Sequence, residues 1–141
     1  MVKEFEIFDH TADIGIRAFG ASLPEAYINA ARAMFSLITD PDKIKDTLYR
    51  SVDISAPDRE TLLVEWLNEL IYFFDAEQIL FKRFDIDLFS ENRLKACCYG
   101  EKVDKSRHQL IRGIKSTTYH MLKIELPSSN EGWRLQVLFD I

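Results

Sequence analysis

No apolar run in this chain approaches the ~20 residues that a helix needs to cross a bilayer, so no helical membrane span is expected. Glycine is scarce, five residues in 141, and the five do not assemble a Gly-rich phosphate loop. No nucleophilic Ser or Cys motif is visible either, which weighs against a phosphohydrolase. The two cysteines, Cys97 and Cys98, are sequence neighbours and match neither Cys-x-x-Cys nor a zinc-ligand spacing. Adjacent strand residues point to opposite faces, so a bridge between them would be strained, and two reduced structural thiols are expected. A basic block is also missing. The formal net charge is −5, and autonomous nucleic-acid binding, which needs clustered Lys or Arg, is disfavoured. The mildly basic Lys105-Ser106-Arg107-His108, followed by Arg112 and Lys115, reads as a solvated loop, with a phosphate-facing role as the alternative. There is no linker, repeat or low-complexity tract, so one domain over residues 1–141 is expected. Met1-Val2-Lys3-Glu4 shows no signal-peptide profile, and a cytoplasmic location is expected.

Hydrophobic residues are plentiful, at 47% with ten Phe, enough for a packed core rather than disorder. Phe5 and Ile7 alternate with Glu4 and Glu6, and Ile14, Ile16 and Ala18 resume the alternation after Asp9–Asp13. A hairpin around that turn follows, with Asp13 and Arg17 on its polar face. Ser22-Leu23-Pro24-Glu25 is a capping box that starts a helix, ended before Pro41. Leu48, Val52 and Ile54 mark a strand closed by Pro57, and Asp58 caps a second helix. Its stripe from Leu62 to Phe74 is too wide for a helix lying on water. From Leu80 the period is two: a strand through Leu88, a turn at Ser90–Arg93 and a partner strand to about Val103. Leu122, Ile124 and Leu126 form another strand, ended by Pro127 and the Ser128-Ser129-Asn130 loop, and Trp133 to Phe139 the last. Arg134, Gln136 and Asp140 take the phase opposite Trp133 and Phe139, which places Asp140 at a polar surface or cleft. The order β-β-α-β-α-β-β-β-β gives an α+β domain, mainly antiparallel, with two amphipathic helices packed on sheet. Whether one sheet or two stacked ones form is open.

Asp9 and Asp13 stand near one end of the chain, and Asp140 beside the carboxylate of Ile141 at the other. If the ends lie side by side, three or four carboxylates share one place. Like charges about 4 Å apart repel by roughly 4 kcal/mol at an effective dielectric of 20. A cation, protons or a basic side chain such as Lys115 must offset that, and a divalent cation suits carboxylate oxygens best. For Asp9 to Asp13 alone, an Asx-type turn is the plain reading. His10 has no sequence neighbour to complete a zinc site, and His120, in phase with Leu122 and Ile124, reads as a core or sheet-edge histidine.

The run Phe8-Asp9-His10-Thr11-Ala12-Asp13-Ile14-Gly15-Ile16, with Leu23-Pro24-Glu25-Ala26, Glu65-Trp66-Leu67-Asn68-Glu69, Ile114-Lys115-Ser116-Thr117-Thr118-Tyr119-His120 and the closing Phe139-Asp140-Ile141, resembles the archease family. The resemblance implies a non-enzymatic activator of the RtcB-type RNA ligase of tRNA splicing. It promotes guanylylation of the ligase by GTP and repeated turnover, meeting GTP phosphates or RNA through the ligase. It implies a divalent ion, calcium first with magnesium or manganese as alternatives, on Asp13, Asp140 and a terminal oxygen of Ile141. A functional lysine would be Lys115, with Asp9 and His10 as further functional candidates. An older proposal for the family is chaperone-like action on RNA-modifying proteins. Ser116-Thr117 depart locally from the family's usual Ala and apolar residue, leaving Lys115 in place but its strand register open.

Overall fold

The computed structural model describes residues 3–128 and 131–141. Strand β1 (Phe5–His10) turns into β2 (Asp13–Gly20). Helix α1 (Leu23–Ile38) begins as the capping box requires: the Ser22 side chain accepts the Glu25 N–H at 3.3 Å, and the Glu25 carboxylate accepts the Ala21 N–H at 3.2 Å. A 3-10 turn (Pro41–Lys43) and β3 (Leu48–Ser55) lead to helix α2 (Arg59–Glu77), capped by Asp58 through the Thr61 N–H at 2.7 Å. The hairpin of β4 (Ile79–Phe89) and β5 (Arg93–Lys102) follows, then β6 (Ser116–Ser128) and β7 (Gly132–Asp140). The expected Ser129 and Asn130 part of the last loop lies outside the described residues.

The strands form two antiparallel sheets, ordered β1-β2-β7-β6 and β3-β5-β4. Helix α1 touches β1, β2 and β7 of the first and β4 of the second; α2 touches β6 of the first and all three strands of the second. A helix shared by two sheets needs apolar residues on more than one side. This is why eleven of the sixteen α1 residues are buried and why the α2 stripe is so broad. Trp66 of α2 donates its indole N–H to the Tyr27 carbonyl at 3.0 Å, and packs edge-on against Phe84. Ile14, Ile16 and Ala18 of β2 and Leu135, Val137 and Phe139 of β7 complete the core. Cys97 is half-buried and Cys98 buried, both unbridged; burial pushes the Cys98 thiol well up. Among the described residues no helix is long and apolar enough to cross a membrane.

One expectation is corrected. Pro127 does not end β6, which runs to Ser128; β6 is an edge strand, where proline's missing N–H is tolerated. Asp140 is exposed, as its phase predicts, whereas Gln136 and Leu138 on the same face of β7 are covered, Gln136 at 6% exposed and Leu138 fully buried. Phe8 lies over Gly15, opposite Leu138, and the Gln136 amide donates to the Met121 carbonyl at 2.9 Å. The 105–108 segment is a loop, as expected, with Lys105, Ser106 and Arg107 exposed and only His108 buried.

Candidate functional site

Pairing brings residues from four strands into one row. His10 faces Asp13, Asp13 faces Asp140, and Asp140 faces Ser116. Directly opposed residues of antiparallel strands share a face, with Cβ atoms about 4.5–5.5 Å apart. Asp13 and Asp140 are therefore neighbours on the same side of the sheet, as the ends-together expectation requires. The Lys115 N–H donates to the Asp140 carbonyl at 2.8 Å, so Lys115 enters β6 beside this row. Its side chain is exposed and meets no carboxylate within ion-pair distance among the described residues. Ile141 follows directly and is exposed.

The row below the acids explains one residue of the first hairpin. Phe8, Gly15, Leu138 and Thr118 lie across the strands on this same face. A Cβ on Gly15 would stand 2.3 Å from the Phe8 ring, so only glycine admits the ring that seals the sheet beneath Asp13. The Arg17 guanidinium sits 4.2 Å from the centroid of that ring and donates to Gln136 at 3.1 Å. The acids thus stand on a closed, partly apolar floor.

Asp9 does not join the row. It faces Ile14, so strand alternation turns it to the opposite side of the sheet, where it is exposed. Of the expected crowd of carboxylates, the strand pairing brings together the side chains of Asp13 and Asp140. Among the described residues no three His, Cys, Asp or Glu side chains cluster as a metal site. Two side-chain carboxylates are still an all-oxygen donor pair, which fits a hard cation with water or other oxygens completing its six to eight ligands.

Sequence spacing hid a further neighbour. Between the pairs Thr118–Leu138 and Lys123–Gln136, four β6 residues, Tyr119 to Leu122, stand against Val137 alone. Met121 takes a left-handed φ of 57°, and the bulge carries His120 to 5.6 Å from the His10 ring. His120 is exposed at the sheet edge rather than in the core, because the bulge breaks its phase with Leu122. His10 Nδ1 is buried with no hydrogen-bond partner. On the other face, the Thr117 N–H donates to the Asn68 side chain at 2.9 Å, anchoring β6 to α2.

A second polar cluster gave no motif in the sequence. Glu101 of β5, 7% exposed, binds Arg107, accepts the Lys45 N–H at 2.6 Å and lies 3.1 Å from His108 Nε2. The Asp104 N–H donates to His108 Nδ1 at 2.9 Å, which leaves the proton on Nε2, facing Glu101 and the Lys43 carbonyl. Arg112 donates to the Leu37 carbonyl at 2.8 Å. These bonds pin the 105–112 segment to the fold.

The family model describing the archease protein family (MTH1598/TM1083) matches residues 5–141. The chain belongs to the archease family. It is 42% identical to the protein archease of Sulfurisphaera tokodaii over 125 residues, covering 88% of this chain and 90% of that one. To the protein archease of Pyrococcus abyssi it is 38% identical over 144 residues, covering 99% and 100%. The solution structure of Methanobacterium thermoautotrophicum protein 1598 superposes with a TM-score of 0.81 at 34% identity, over 98% of this chain and 99% of that one. A Thermotoga maritima crystal structure, described as an archease and possible chaperone, gives 0.63 at 22% identity over 95% and 94%, and speaks to the fold alone. The archease fold is thus two open antiparallel sheets with two helices packed on them.

Proposed function

We propose that this archease is a non-catalytic accessory factor that holds a divalent cation, calcium first, and activates an RtcB-type RNA ligase of tRNA splicing. The cross-strand pairing of Asp13 with Asp140, next to the Ile141 terminus, carries the reading. Asp13, Asp140 and the terminal carboxylate would hold the ion. A bound cation supplies positive charge that phosphate oxygens of GTP on the ligase can share. The chain's own residues do the positioning. The bond from Lys115 N–H to Asp140 O fixes the last strand, the Asn68 tie fixes β6 against α2, and the Lys115 ammonium is left to meet a phosphate or an acidic group of the ligase.

The test is guanylylation of the ligase by labelled GTP, with and without this protein. Activation by the wild type, lost in Asp13→Ala and Asp140→Ala at unchanged melting temperature, supports the reading. Equal activation by both variants removes the cation from it. A second reading, a chaperone-like module with no metal mechanism, is favoured by the exposed Tyr119 and Met121 on the bulge of an edge strand. Protection of unrelated unfolding proteins in excess chelator is its signature.

A further inference from the structure

Strands β1 and β6 are the two edges of the first sheet, with β2 and β7 between them. Neighbouring strands lie about 4.8 Å apart, so edge to edge the sheet measures roughly 14 Å. Even so, the rings of His10 on β1 and His120 on β6 stand with centroids 5.6 Å apart. The β6 bulge closes that distance by reaching over β7, where the Gln136 amide donates to the Met121 carbonyl at 2.9 Å. Met121 takes its left-handed φ of 57° to do so, a conformation that side chains other than glycine adopt rarely and at a cost. The calcium site proposed above uses neither ring.

Packing alone does not account for the pair. His10 Nδ1 is buried and has no hydrogen-bond partner among the described residues. A ring nitrogen is either an N–H that lacks an acceptor or a lone pair that lacks a donor, and each is costly when buried. A metal ion takes up the lone pair and removes that cost. The spacing of the rings is also that of two ligands. With metal–nitrogen bonds of about 2.0–2.1 Å, each ring centroid lies about 3.2 Å from the ion. Tetrahedral placement then sets two centroids about 5.2 Å apart, close to the 5.6 Å found here. The 59° between the ring planes excludes face-to-face stacking.

We propose that His10 and His120 form a zinc site, separate from the Asp13–Asp140 pair, that clasps the β6 bulge to β1. Imidazole nitrogen suits zinc, whereas calcium takes oxygen ligands, so the two sites select different ions. Asp13, opposite His10 on the same face, adds negative charge that favours a cation there. No third His, Cys, Asp or Glu side chain groups with the pair among the described residues, which leaves the other positions of the ion to water. The site does not depend on the calcium and ligase reading.

Calorimetric titration of the chelator-stripped full chain with zinc chloride tests it, in excess calcium chloride so that oxygen-donor sites are filled. One zinc ion per chain is expected to bind. His120→Gln, at an exposed position, and His10→Gln should each weaken zinc by about tenfold or more, since each removes one of two ligands. The melting temperature of His120→Gln in chelator should match the wild type. Asp140→Asn and Cys97→Ser should bind zinc as the wild type does. Absence of saturable zinc binding, or wild-type affinity in His120→Gln, overturns the proposal. So does zinc binding kept in both histidine variants and lost in Asp140→Asn, which assigns the ion to the acid pair and leaves the calcium reading standing.

Discussion

Replacing Glu101 by alanine removes the acceptor that joins three segments of the chain. Its carboxylate is met by Arg107, by the Lys45 N–H at 2.6 Å and by His108 Nε2 at 3.1 Å. Deleting one partner of a buried charged pair costs about 3–5 kcal/mol. Arg107 keeps about a third of its side chain in water, 35% exposed, and solvent takes back part of that loss. The lower end, about 3 kcal/mol, is expected for Glu101→Ala. Glu101→Gln keeps the volume and one acceptor but loses the charge, at about 2 kcal/mol. Burial by itself would raise the Glu101 carboxyl; bonds from Arg107, the Lys45 N–H and His108 outweigh it and hold the group below the usual carboxylate range. A folded value below the unfolded one gives stability that is complete above the unfolded value of about 4.3 and lost as pH falls through the folded value. In urea denaturation, the gap between wild type and Glu101→Gln should therefore stay level from about pH 7 to pH 5 and close below about pH 4. A gap under about 1 kcal/mol at pH 7, or one that widens on acidification, refutes this account of the cluster.

Calcium should raise the melting temperature of the wild type over that in chelator. The gain corresponds to about 2.7 kcal/mol at a hundred times the dissociation constant; an equal gain in Asp13→Asn or Asp140→Asn would exclude these acids as ligands. Residues appended after Ile141 should weaken calcium binding by about tenfold, since they convert a terminal carboxylate into an amide, and undiminished affinity in calorimetry would remove that group from the donor set. Gly100→Ala should cost about 3 kcal/mol, at the upper end of overpacking, because its Cβ meets the Leu80 backbone. Gly113→Ala, where nothing lies within 4 Å of the added Cβ, should change stability by less than about 0.5 kcal/mol, and thermal melts of the two variants compare them directly.

What the sequence determined alone was local. The Ser22 and Asp58 caps, the burial of Ile14 and Ile16, and the phase that turns Asp140 away from Phe139 all follow from side chains within a few residues of one another. The neighbourhood of Asp13 and Asp140 was reachable because both carry polar phase at strand ends and match the family's pattern at both ends of the chain. Tertiary structure decided the rest. Only strand order put β7 between β2 and β6, and only cross-strand pairing separated Asp9 from Asp13 while lining His10 up with it. The four-residue bulge that brings His120 to His10, and the single-residue bulge at Lys82 of β4, break the twofold period on which any strand reading relies. Glu101, Lys45 and His108 converge from segments up to 63 positions apart (108 minus 45), with no spacing to announce them. Periodicity reports which side of an element a residue takes; it carries no information about which other element will lie against that side, because that choice is made by the core as a whole.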